Sequence, residues 1–134
     1  MPDYTEQVGA VLFTTNVARA AAFYEHVIGM QVRAAADDHV RLQRGQFLLT
    51  LHGIPEQYAE AITIGAPPVM RETSAIKLAF RVSSISEARE TAARRGGCVY
   101  PADREWRDGP KTFCDGWDPD GNVFQVFTVT GLAP

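Results

Sequence analysis

The sequence predicts an α+β chain of two tandem βαβββ modules whose strands form a curved mixed sheet with a central cup. In the first half a strand, an amphipathic helix and three short strands follow one another; in the second half the same order returns. Matching features also keep one constant separation. Residues 9 and 77 open matching strands, 16 and 84 cap matching helices, and Gly29 and Gly97 end them, each pair lying 68 positions apart. The closing strands, compared at 50 and 125, stand 75 apart, and the extra seven residues fit the polar stretch Ala102 to Pro110.

Val8 to Phe13 is an apolar run of strand length, and Thr15-Asn16 then offers an N-cap. Val17, Ala20, Ala21, Tyr24, Val27 and Ile28 recur at helical spacing until Gly29 stops the helix. Met30 to Ala34, His39 to Gln43 and Gln46 to His52 read as strands parted by the turn residues Asp37-Asp38 and Arg44-Gly45. Ile54 to Ile62 has the spacing of a short helix, and Gly65-Ala66-Pro67-Pro68 reads as linker. The second half opens with a strand over Ala75 to Val82. Ser84-Ile85-Ser86-Glu87 has the form of a capping box, and the helix it starts runs to Arg95 before Gly96-Gly97. Cys98 to Tyr100, Thr112 to Asp115 and Val123 to Val129 supply the remaining strands. The expected layout is one domain over 1–134, with module one at about 5–53, a linker at about 54–73 and module two at about 74–131.

Composition narrows the function. Hydrophobic residues make up 46% of the 134, enough for a real core in one domain. Thirteen Lys and Arg against sixteen Asp and Glu give a net charge of −3, with no basic run to follow a phosphate backbone, so nucleic acid is not an expected partner. The N-terminus does not read as a signal peptide, and no apolar run is long enough for a membrane span, so no membrane partner is expected. Cys98 and Cys114 form neither a CxxC pair nor a zinc spacing and read as two reduced, buried thiols of a cytoplasmic protein.

Two segments resemble a known family. Asn16 to Met30, with Phe23-Tyr24 and Gly29-Met30, is similar to the D-x-x-x-x-x-x-F-Y-x-x-x-L-G-M signature of the vicinal oxygen chelate superfamily. Asp118-Pro119-Asp120-Gly121-Asn122-Val123-Phe124-Gln125-Val126 resembles its second signature, DPDGN-x-x-E-φ. That superfamily contains glyoxalase I, extradiol dioxygenases, fosfomycin-resistance enzymes and bleomycin-resistance proteins. The resemblance covers nearly the whole chain and implies the paired-module fold, a small-molecule ligand and a homodimer.

It also implies where a metal would sit, on four strands at Gly9, Thr50, Lys77 and Gln125. Gly9 has no side chain, Thr50 has a neutral hydroxyl, and Lys77 brings a positive charge to a cation's place. Gln125 alone retains a ligand atom, so no metal and no cofactor are expected. A displaced set of Gln7, His52 and Gln125 is conceivable, each shifted about 6–7 Å along its strand. His26 and His39 read as solvated. Alternation places Gly9, Val11, Phe13 and Thr15 toward the cup, with Leu48, Thr50 and His52, then Lys77, Ala79 and Arg81, Phe113 and Asp115, and Val123, Gln125 and Phe127. The candidate ligand-binding residues are Phe13, Thr50, His52, Lys77, Arg81, Trp106, Phe113, Asp115 and Gln125. Lys77 has a structural alternative in a salt bridge to Asp115, and Trp106 one as a dimer anchor; Trp117 reads as packing.

Two functions follow. One is a metal-independent binding protein resembling the bleomycin-resistance branch, which sequesters an antibiotic-like or other polar organic ligand. The other is a glyoxalase-like metal-dependent lyase or isomerase, or a dioxygenase, with a displaced or inter-subunit metal site.

Overall fold

A computed structural model of the chain describes residues 8–55 and 74–130. Strand β1 (Val8–Thr14) leads into helix α1 (Val17–Phe23), which the Asn16 side chain caps by accepting from the Arg19 N–H. The last turn, Tyr24–Ile28, widens into a π-helix instead of continuing the α-helix that the spacing suggested, and Gly29 ends it at φ 82°. That turn lets two consecutive bulky side chains, Phe23 and Tyr24, both bury completely. Strands β2 (Gln31–Ala35), β3 (His39–Arg44) and β4 (Phe47–Gly53) complete the first sheet, in the order β1-β4-β3-β2. The expected helix over Ile54 to Ile62 and the linker lie almost wholly outside the described residues.

The second sheet repeats this plan. Strand β5 (Leu78–Arg81) precedes helix α2 (Ile85–Arg94), where the Ser84 hydroxyl accepts from the Glu87 N–H at 3.1 Å. Then come β6 (Cys98–Val99), β7 (Trp106–Asp108), β8 (Lys111–Trp117) and β9 (Val123–Val129). The order is β5-β9-β8-β6, with β7 also paired to β8. The ladders preserve the sequence offsets: Val11 pairs with Thr50 in the first sheet, and Ala79 pairs with Gln125 in the second, 68 and 75 positions on. Among the described residues no ladder joins the sheets.

Two expectations about the second half are corrected. The strand placed at Ala75 to Val82 shrinks to Leu78–Arg81, because its parallel partner β9 begins at Val123 and the turn before it has no ladder to offer. The polar stretch Ala102 to Pro110 is not only loop. It contains a 3-10 turn, Ala102–Arg104, and then β7, which returns onto β8 through a tight turn at Gly109 with φ 60°.

One shared core joins the sheets. Leu42, Leu49 and Leu51 from the first meet Phe80, Phe124 and Val126 from the second, with Phe23, Tyr24, Ala88 and Ala92 of the helices between. Phe23 packs edge-on against Phe124 at 5.7 Å, and Phe47 against Phe80 at 5.9 Å. Gly97 is required here by close approach, since a Cβ would stand 2.3 Å from the Phe23 ring.

A polar staple closes the same junction. Asp118 and Asp120, in the turn before β9, are each 1% exposed. Asp118 Oδ1 accepts from the N–H groups of Asp120 and Asn122 at 2.9 and 3.0 Å, and Oδ2 accepts from Tyr24 Oη at 2.7 Å and Asn122 Nδ2 at 3.1 Å. Asp120 accepts from the Thr15 N–H at 3.0 Å, the Thr15 hydroxyl at 2.7 Å and the buried Thr14 hydroxyl. Burial pushes the Asp118 carboxyl above its ordinary value despite its four donors. Burial, reinforced by Asp118, drives the Tyr24 phenol well above its own, so it remains a donor.

Both cysteines are free; Cys114 is buried, and Cys98 is only half-buried, less than the sequence suggested. Burial raises both thiols above their ordinary values, although Arg89 pulls the other way. No helix among the described residues is long and apolar enough to cross a membrane.

Two outcomes follow. Tyr24→Phe removes a charge-assisted bond from a buried carboxylate and lowers unfolding free energy by about 1.5–3 kcal/mol, measured by urea denaturation. With an aromatic disulfide reagent at about pH 8, the raised thiols are mostly protonated, so native Cys114 reacts only as the protein opens, whereas both thiols react at once in denaturant. Fast native labelling of Cys114 would contradict this packing.

Candidate functional site

Strand alternation separates core from open faces. In β1, Ala10 and Leu12 pack against the core while Val11 and Phe13 point away from it, 56% and 57% exposed. In β8 and β9, Cys114, Phe124 and Val126 are buried, so Phe113, Asp115, Gln125 and Phe127 occupy the opposite face. The candidate residues therefore fall into two groups, one on each sheet's open face.

On the first sheet, Phe13 and His52 pair across β1 and β4 with ring centroids 6.0 Å apart. His52 also stacks on His39 of β3, 6.3 Å away and nearly parallel, so His39 is not simply solvated. The β3–β4 ladder sets these two residues opposite each other, a long-range pairing that the turn-like Asp37-Asp38 context did not reveal. His39 Nδ1 lies 2.8 Å from Asp38, and that hydrogen bond holds the Asp38 carboxyl below its usual range. Thr50 lies between Val11 and Arg41 on the neighbouring strands. Thr15 does not join this face: it lies beyond the end of β1, where its hydroxyl is bonded to Asp120. His26 is exposed beside Glu25.

On the second sheet, Lys77 Nζ sits 3.0 Å from Asp115 Oδ1 and 3.1 Å from Oδ2. Only the Oδ2 contact has hydrogen-bond geometry, so Oδ1 is left with charge attraction alone. Gln125 lies directly across from Asp115, with Ala79 on its other side. One step along the strands, Trp106 stacks on Phe113 at 5.6 Å and 16°, and Phe113 meets Phe127 at 5.7 Å. Arg81 lies opposite Phe127, completing that row. Lys77 Nζ is also 6.0 Å from the Trp106 ring. Trp117 packs edge-on against Tyr100.

The loop ahead of Trp106 is held from below. Arg89 of α2 donates to the Tyr100 carbonyl at 2.7 Å and to Glu105 at 2.6 Å, next to Trp106 in sequence. Sequence reading missed this contact because it spans helix and loop. A cavity of about 250 Å³ is lined by Arg44 and Phe47 of the first sheet and by residues 78–81 of the second, so Arg81 borders it as well.

Among the described residues no hydrogen bond, ion pair or ring contact joins the first-sheet group to the second. The four positions implied for a metal do not fit a divalent cation: Gly9 offers no donor, Thr50 a hydroxyl, and the Lys77 ammonium already neutralises Asp115. Among the described residues no three His, Cys, Asp or Glu side chains are grouped to hold an ion, and Gln7 of the displaced set lies outside those residues.

Comparison with known proteins agrees with this architecture. A glyoxalase/bleomycin resistance protein/dioxygenase family enzyme from Burkholderia phytofirmans is similar at 22% identity and a TM-score of 0.63, over 90% of this chain and 96% of that one. A fosfomycin resistance protein from Listeria monocytogenes matches at 13% identity and 0.64, over 92% and 93%. A lactoylglutathione lyase from Agrobacterium tumefaciens matches at 18% and 0.57, again over 92% and 93%. At such identities the likeness is one of fold. No curated protein matches in sequence. The family model for the glyoxalase-like domain matches residues 9–127, nearly the whole chain, and the chain belongs to that family, within the vicinal oxygen chelate superfamily.

Proposed function

We propose that this protein is a metal-independent small-molecule binder, similar in role to bleomycin-resistance proteins, which holds a polar organic ligand in its cup without transforming it. The observation that carries the reading is the Lys77–Asp115 ion pair. It sets an ammonium at a position where metal-dependent relatives resemble one another in placing a ligand, and a cation there would meet like charge at short range. Around the pair, Trp106, Phe113 and Gln125 offer stacking and hydrogen bonding, the usual lining of an organic-ligand site. Phe13, Thr50 and His52 would supply the facing wall.

We infer further that the working unit is a homodimer in which one protomer's first-sheet face lies over its partner's second-sheet face. Val11 and Phe13, both more than half exposed on an edge strand, favour this arrangement. So does the separation of the two candidate groups, which no hydrogen bond, ion pair or ring contact joins among the described residues.

Protein loaded with zinc, nickel, iron or manganese and then dialysed is expected to keep far less than one ion per chain, and to leave a glutathione hemithioacetal unchanged. One tightly held ion per chain, with turnover that a chelator abolishes, would favour the glyoxalase-like enzyme instead. Light scattering on wild type is expected to give a dimer mass, and Phe13→Asp a monomer with unaltered circular dichroism.

A further inference from the structure

We propose that the cup selects a flat aromatic acid, an aryl ring carrying a carboxylate or similar anion, through the row Trp106, Phe113, Phe127 and Arg81. This rests on the reading that the cup binds an organic ligand, and it adds the ligand's chemical class. The row is fixed by register: Trp106 pairs with Phe113, Phe113 with Phe127, and Phe127 with Arg81, so four neighbouring strands present these side chains side by side on the face away from the core. Strands lie about 4.8 Å apart, so the three rings floor a strip roughly 10 Å long that ends at a guanidinium.

Each end has its own chemistry. Trp106 and Phe113 are stacked at 16°, and Trp106 remains 41% exposed, so aromatic surface is open to solvent at this end. Arg81 is exposed, and its guanidinium has no ion pair or hydrogen bond among the described residues. Asp115, a carboxylate of the same open face, is already paired with Lys77. Lys111 Nζ stands 5.2 Å from the Phe127 ring, adding a second positive charge along the strip. The planar fork of Arg81 suits a carboxylate in two parallel hydrogen bonds. A ring over Phe113 and Phe127 would turn its acid group toward Arg81.

The test uses the full chain and four probes: 2-naphthoate, its neutral amide 2-naphthamide, the cation 2-naphthylmethylammonium, and the non-aromatic cyclohexanecarboxylate. Binding is followed by calorimetry and by tryptophan quenching. The expected result is that 2-naphthoate binds at least about tenfold more tightly than the amide, as one charge-assisted contact provides. Arg81→Gln should bring naphthoate down to the level of the amide and leave the amide unchanged, while Arg81→Lys restores part of the difference. Trp106→Leu should weaken both naphthyl probes. The proposal is overturned if the ammonium binds tightest, if cyclohexanecarboxylate matches naphthoate, if Arg81→Gln changes acid and amide equally, or if no probe binds. Metal content is measured on the same samples, so the metal-free reading stands or falls separately.

Discussion

The fold turns on two buried carboxylates that have no positive partner among the described residues. Asp118 and Asp120 are nearly inaccessible, and leaving either without donors inside the core would cost several kcal/mol. Every donor they use comes from the turn itself or from the first module: Tyr24 at the helix end, and Thr14 and Thr15 at the end of β1. The requirement to satisfy these oxygens fixes the end of β1 against the start of β9. Once that distance is set, the aromatic contacts of Phe23, Tyr24, Phe80 and Phe124 determine how the sheets pack.

Much of this plan was legible in the sequence, because the features that repeat are local. A cap, a helical apolar stripe and a glycine stop recur at one offset, and strand registers inherit it. The part that was not legible depended on contacts between distant residues. Nothing near Asp118 or Asp120 in sequence reveals that Thr14 and Tyr24 will be their donors. The three residues of β7 are all exposed, so they show no alternation of apolar and polar side chains. His39 acquired its neighbour only through pairing of β3 with β4. On the open faces the alternation rule placed Lys77, Asp115 and Gln125 near one another, but it did not contain the orientation of one sheet relative to the other.

The two halves of the molecule divide chemistry from support. Toward the core, polar groups are few and fully engaged, so the framework tolerates little change. Away from it lie rings, a charge pair, two cationic side chains and histidines with solvent access. On the second sheet's open face, ring surface and charge stand side by side, the Lys77–Asp115 pair next to the Trp106–Phe113 stack. Arg89 fixes the start of the strand that bears Trp106, through Glu105, from the far side of the sheet.

The short strand β7 has no counterpart among the described residues of the first sheet. It returns onto one end of β8 while β6 occupies the other end, so its addition shifts no other pairing in the sheet. The hairpin bearing Trp106 is thus a replaceable part: exchanging residues 102–110 would reshape one border of the open face while the remaining ladders kept their register. After duplication, such a chain retains one conservative copy and one that can diversify. A new surface can arise by changing a hairpin, with little demand on the core that keeps the protein folded.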